Sequence, residues 1–138
     1  MKQKSSKLPK TKKRPSVAVL KKKADAIFSI FIRLRDKSRG CITCGSKENL
    51  QCGHFQSRRH NNTRFNEANC QAQCVRCNMF NQGEQYEFGK RLDELYGEGT
   101  AERLKKEAQE VKKFTILDLQ DIIEYYQEQI KIMKLWEG

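Results

Sequence analysis

Apolar residues recur along this chain at changing intervals, and the changes outline the elements. Leu20, Ala24, Ile27, Phe31 and Leu34 follow one another every three or four positions, which predicts an amphipathic helix from about Val17 to Lys37, stopping before Gly40. From Asn49 to Asn69 the apolar content is short and mixed with Gln56, Arg58, Arg59, His60, Asn61, Asn62 and Arg64, a pattern that fits a small β-hairpin with a long loop. Helical spacing returns after Cys77 with Tyr86, Phe88, Leu92 and Leu95, up to Gly97. Thr100 is placed to cap a further helix carrying Ala101, Leu104, Ala108 and Val111. Thr115 and Asp118, three apart, have the form of a capping box that opens a last helix. Its Leu119, Ile122, Ile123, Tyr126, Ile130 and Met133 make a continuous apolar face, expected to pack on the first helix, with a homodimer interface as the alternative.

Charge divides the chain unevenly. Ten of its 28 Lys and Arg precede residue 24 without a single acid, so the remainder carries 18 basic against 17 acidic groups. Residues 1–16, with Pro9 and Pro15 and little to bury, are expected to form a disordered basic tail. Lys12, Lys13 and Arg14 there suit phosphate neutralisation, and so nonspecific nucleic-acid contact. A solubilising or localising tail, an RNA and an anionic membrane would use the same charges. No apolar run approaches the roughly 18 residues that span a bilayer, and the start lacks the apolar core of a secretion signal, so a cytoplasmic location is expected.

In a reducing cytosol, paired cysteines read as metal ligands. Cys41 with Cys44 and Cys74 with Cys77 form two CxxC units separated by 29 residues, and four thiolates close a tetrahedral shell around a structural zinc. Cys52 and Cys70 lie outside the pairs and read as small buried hydrophobes. The order CxxC, hairpin, CxxC, helix is that of a treble-clef zinc site. The expected class is α+β: mainly helical, with a small ββα-metal zinc module over residues 38–96 and C-terminal helices over 99–136. Both belong to a single domain spanning 17–138.

Three stretches carry a resemblance. GHF at 53–55, RFNEANCQAQCVRCN at 64–78 and the following NQGEQYEFGKRLDELYG are similar to the phage NinG (Rap) recombination-protein family, over roughly Ser38 to Trp136. The two CxxC pairs, with asparagine directly after the last cysteine, more distantly resemble phage endonuclease VII, a Holliday-junction resolvase of the HNH class. The resemblance implies a metal-dependent HNH-type endodeoxyribonuclease that cuts branched recombination intermediates, D-loops or Holliday-type junctions. DNA would be its partner, and recombination proteins are further candidates. It also implies an HNN variant of the motif, with His54, Asn69 and Asn78 in the three positions.

Chemistry gives each residue a separate reason. A neutral imidazole accepts a proton from water near physiological pH, which suits His54 as general base. An amide oxygen suits a hard cation, so Asn78 is the candidate ligand for a catalytic Mg²⁺ or Mn²⁺. Asn69 is expected to tie the hairpin loop to the second knuckle by side-chain to backbone hydrogen bonds. Many HNH sites have an acid or a second histidine just before the base, where this chain has Gly53; Glu84 or His60 could complete the ion's shell. Arg58, Arg59, Arg64 and Arg76 are candidate phosphate contacts. Two alternatives stand beside this one: a noncatalytic zinc module that holds DNA or recruits a recombinase, and an HNH nuclease with a homing or packaging role.

Overall fold

The computed structural model describes residues 14–137, so Lys12, Lys13 and most of the basic tail expected over 1–16 lie outside the described residues. The first helix, α1, spans Val17–Asp36; the Ser16 hydroxyl accepts from the Val19 N–H at 3.2 Å, and Arg33 and Arg35 in the last turn suit the negative end of the helix dipole. At the other end of the chain, helix α5 (Ile116–Glu137) is opened by the capping box read from the sequence. The Thr115 N–H donates to Asp118 Oδ2 at 2.9 Å, and the Asp118 N–H to Thr115 Oγ1 at 3.0 Å.

These two helices bury their apolar faces against each other. Leu20 and Ala24 pack with Phe114, Leu119 and Ile123; Phe28, Phe31 and Ile32 pack with Tyr126, Ile130 and Cys70. Each large apolar side chain fully removed from water contributes about 1.5–3 kcal/mol. The face is therefore used within the chain, while Leu117, Tyr125, Leu135 and Trp136 stay exposed. No helix among the described residues is long and apolar enough to cross a membrane.

Strands β1 (Leu50–His54) and β2 (Cys70–Cys74) form a two-stranded antiparallel sheet, with Leu50 opposite Cys74 and His54 opposite Cys70. The second strand thus lies just beyond the 49–69 window, and the long loop between them carries a single helical turn, α2 (Asn61–Arg64). A strand edge offers free N–H and C=O groups that need partners, and α1 and the first knuckle supply them. The Ala72 N–H donates to Asp36 Oδ2 at 2.9 Å, the Ile42 N–H donates to Ala72 O at 2.9 Å, and Arg35 Nη2 donates to Cys70 O at 2.8 Å. The buried Asp36 carboxylate also pairs with Arg35 and Arg39.

Beyond β2 the chain departs from an uninterrupted helix. Arg76–Phe80 form one wide turn, closed by the Asn81 N–H on Arg76 O five residues back at 2.9 Å. Gln82, Gly83 and Glu84 all take positive φ and break the path before α3 (Gln85–Tyr96) begins. Of the four apolar positions read there, Phe88 and Leu92 are buried, while Tyr86 and Leu95 face solvent. Helix α4 (Thr100–Ala108) is capped by Asp93, whose Oδ1 accepts from the Ala101 N–H at 2.9 Å. Thr100 is the first helical residue, not the cap, and its hydroxyl donates back to Gly97 O at 2.7 Å. Val111 lies past the helix end and is 93% exposed. Phe88, Leu92 and Leu104 join Ile42 in a separate cluster beneath the first knuckle. The class is α+β, mostly helical with one small sheet.

Removing the Asp36 carboxylate strands the Ala72 N–H and two guanidinium groups together. Asp36→Ala is expected to lower unfolding free energy by about 3–5 kcal/mol, the scale of breaking a buried ion pair, whereas Val111→Ala should stay within about 0.5 kcal/mol. Urea unfolding followed by circular dichroism measures both.

Candidate functional site

The loop before β1, the end of β2 and the wide turn after it bring four sulfurs together. Cys41, Cys44, Cys74 and Cys77 place their Sγ atoms all within 4.8 Å of one another, and Cys44 Sγ stands 3.6 Å from Cys74 Sγ. Four sulfurs bound to one zinc at about 2.3 Å in a tetrahedron stand roughly 3.8 Å apart, so this cluster can hold such an ion. The sulfurs differ in acidity. Burial penalises the Cys41 thiolate, yet the Thr43 hydroxyl and the N–H groups of Cys74, Cys44 and Thr43 outweigh it and draw the thiol down to about 6. Burial and the neighbouring sulfurs push Cys77 up to about 12. Four thiolates so close need a cation between them.

On the neighbouring surface an open cavity of about 600 Å³ is lined by His54 and Asn78, together with Gln51, Arg58 and four residues of α1, Asp25, Phe28, Ser29 and Arg33. His54 Nε2 lies 3.1 Å from the Arg64 carbonyl oxygen. A carbonyl can only accept, so Nε2 carries the proton and Nδ1 keeps a lone pair. Burial, with repulsion from Arg58 and Arg64, lowers the His54 pKa to about 4 against the opposing pull of the Arg64 carbonyl and Asp25. The ring is therefore neutral at physiological pH. Asn78 Nδ2 donates to Gln51 Oε1 at 2.9 Å, which leaves the Asn78 Oδ1 as the acceptor end of that amide.

Asn69 is fully buried and is not part of the cavity wall. Its Oδ1 accepts from the Gln56 N–H at 2.8 Å, and its Nδ2 donates to Gln56 O and Thr63 O, both at 3.1 Å, clasping the two ends of the long loop. Neither Glu84 nor His60 lines the cavity: Glu84 precedes α3, and His60 sits with Arg59 in a separate groove against the end of α4. The arginines are likewise dispersed. Arg58 lines the cavity and is largely exposed, whereas Arg64 is committed to both oxygens of Asp25 and to Arg58 O. Arg76 is exposed beside the sulfurs, and Cys44 raises its pKa. Arg14 is exposed just before α1.

The residues missed from sequence are Asp25, Ser29 and Arg33, one α1 stripe at spacing i, i+4, i+8 along the cavity. Their signal was present as the polar border of the apolar stripe, but nothing in the sequence said that the hairpin would lie against it.

Gly53 has a packing reason. A Cβ there would stand 2.3 Å from Gln73 Oε1, because the buried Gln73 side chain lies across that position to reach Gly83 O at 2.7 Å. Phe55, at the end of the same GHF stretch, rests on Phe88 and on Gly89, where a Cβ would sit 3.2 Å from its ring.

Comparison with known proteins places these residues in context. The family profile described as "Bacteriophage Lambda NinG protein" matches residues 1–137. Protein ninG of Escherichia phage lambda is 28% identical over 116 residues, covering 82% of this chain and 56% of that protein. Protein ninG of Salmonella phage P22 is also 28% identical, with 82% and 57% covered. The chain thus spans just over half the length of these relatives. No solved structure matches.

Two outcomes are expected. Cys44 is exposed, so Cys44→Ser disturbs little beyond the sulfur cluster. The melting temperature should fall by more than about 10 °C, and chelation of the wild type should match that fall without adding to it. The depressed pKa of His54 leaves its stabilising effect intact above about pH 6.5, the ordinary histidine value, and lost as pH falls towards 4. NMR titration of the ring should show a midpoint near 4, and a midpoint near the ordinary value would contradict the buried setting.

Proposed function

The chain belongs to the bacteriophage lambda NinG protein family, and from that premise we propose that it is a metal-dependent endonuclease that hydrolyses phosphodiester bonds in branched DNA during phage recombination. The observation that carries this reading is the convergence of His54 and Asn78 on one cavity. One comes from the end of β1, and the other from the turn that follows the second CxxC. His54 Nδ1 accepts a proton from water, and the resulting hydroxide attacks phosphorus as the leaving oxygen departs. The hydrogen bond from Nε2 to Arg64 O fixes the tautomer that this step requires. Asn78 Oδ1 is the cavity's amide donor for a Mg²⁺ or Mn²⁺ ion, which when bound supplies positive charge to the phosphate. Among the described residues that line the cavity, Arg33 and Arg58 outnumber the one acid, Asp25, and so favour a polyanion.

A second reading has its own support. The position before His54 cannot carry a carboxylate while Gln73 lies across it, and Asp25, the cavity's acid, is engaged by Arg64. A site with so few free acidic ligands suits a module that holds DNA without cutting it. Labelled junction, D-loop and linear duplexes, incubated with Mg²⁺ or Mn²⁺ and with a chelator, separate the two. The proposed enzyme cuts branched substrates in a metal-dependent way, and His54→Ala lowers the rate by about 10²-fold or more while junction binding persists. Binding without cutting under every condition would leave the holding module, and equal cutting of linear duplex would leave a nuclease of another task.

A further inference from the structure

Three donors outside the four-cysteine cluster converge at the other end of the same sheet face. Cys52 and His54 are two apart on β1 and so share a face, and Cys70 stands opposite His54 on β2. Their ligand atoms all lie within 4.8 Å of one another. We propose that Cys52, His54 and Cys70 form a second metal site, a thiolate–imidazole–thiolate set for zinc or a similarly soft ion, distinct from the four-cysteine cluster.

The donor chemistry is specific. Two sulfurs and one imidazole suit zinc or copper(I), whereas Mg²⁺ and Mn²⁺ prefer oxygen. Cys₂His with a fourth position left to water is an open arrangement. Here Cys52 and His54 both line the cavity, so the side facing it is accessible. The four-cysteine cluster cannot supply the missing ligand, because Cys74 lies four residues along β2 from Cys70, roughly 13 Å at the usual strand rise. The hydrogen bond from His54 Nε2 to Arg64 O is the support that metal-bound imidazoles characteristically have, since it holds the ring and leaves one lone pair. Binding replaces the thiol protons of Cys52 and Cys70, which leave to solvent as the two metal–sulfur bonds form.

Packing alone also gives Cys70 a place, among Phe28, Phe31 and Tyr126. Cys52 packs against the same cluster, and the Cys70 thiol and His54 Nε2 both reach the Arg64 carbonyl; none of these contacts requires two sulfurs and an imidazole to stand within ligand distance of one another. Resting on the endonuclease reading, the site has a regulatory consequence. The imidazole that would deprotonate water is then a metal ligand, so an occupied site and a working base exclude each other.

Metal content tests the site without reference to activity. The full-length protein is stripped, refolded with zinc or cobalt(II), and weighed by native mass spectrometry. Two ions per chain are expected for the wild type, and one for Cys52→Ala and for His54→Gln, with unchanged circular dichroism spectra certifying the fold. The second cobalt equivalent should add thiolate charge-transfer absorption that Cys52→Ala lacks. Saturation of the wild type at one ion, or retention of the second ion in Cys52→Ala, overturns the proposal. In the cleavage assay, excess zinc should slow the wild type at least tenfold, and Cys52→Ala should lose that slowing relative to its own rate without added zinc. Two ions in a protein that cuts no DNA would uphold the site and remove only the endonuclease reading.

Discussion

Four thiols cannot share a space under 5 Å as thiolates unless a cation balances them, and that electrostatic constraint sets the local geometry of the whole middle of the chain. It ties the loop after α1 to the end of β2 and to the turn at Arg76–Phe80, which are joined besides by the Ile42 N–H bond to Ala72 O and by the Gln73 amide. Asn78 follows the last of these sulfurs directly, so its direction is inherited from the cluster. His54 is four residues along the strand that begins at Leu50, which packs against the cluster. The separation of imidazole and amide across the cavity is therefore a property of the sulfur centre and of one hairpin register.

The remainder of the fold holds that hairpin against α1. Asp36 joins the helix end to the outer edge of β2, and Arg35 reaches Cys70 O and Glu67 O beside it. Asn69 then closes the long loop from within, with three hydrogen bonds and no exposure. Helix α5 stiffens α1 from behind through Leu119, Ile123 and Tyr126. Leaving such buried polar groups unpaired costs more than forming them gains, which makes this network demanding of its sequence. Its result is that Asp25, Ser29 and Arg33 face the same cavity as residues that follow them by twenty or more positions.

What could be read from the sequence was what rests on local spacing. The 3–4 repeat from Leu20 to Leu34, the Thr115–Asp118 box and the two CxxC units each state their structure within a few residues, and each is present. Thr100 was misread because Asp93, from the preceding helix, supplies the cap that sequence proximity assigned to it, and Val111 because α4 ends at Ala108. The break at Gln82–Glu84 was hidden because two of its three left-handed residues are not glycine, and the Gly83 carbonyl is held by Gln73 from another strand. Arg64 looked like a free phosphate contact, since nothing adjacent shows that Asp25, 39 residues earlier, claims it. Long-range partners are what single-chain spacing does not carry.

The exchange of roles around Gly53 follows from the same kind of partnership. Gln73 sits on the face of β2 that meets Gly53, and its amide spans the gap to Gly83 O and Thr43 Oγ1. Through those bonds it braces the turn after the second CxxC against the first. Its Oε1 is left buried without a hydrogen-bond partner among the described residues, a cost tolerated in return for that brace. A carboxylate at position 53 would have to displace Gln73 and release the turn that carries Asn78. In this chain the brace and an acid beside His54 therefore exclude each other, and the one acid among the described residues that line the cavity comes from α1. Asp25 occupies that place, but in a bidentate pairing that also orders Arg64, whose carbonyl fixes His54. The acid thus acts on the imidazole through Arg64, as a positioning residue, and leaves Arg33 and Arg58 as the cavity's basic lining.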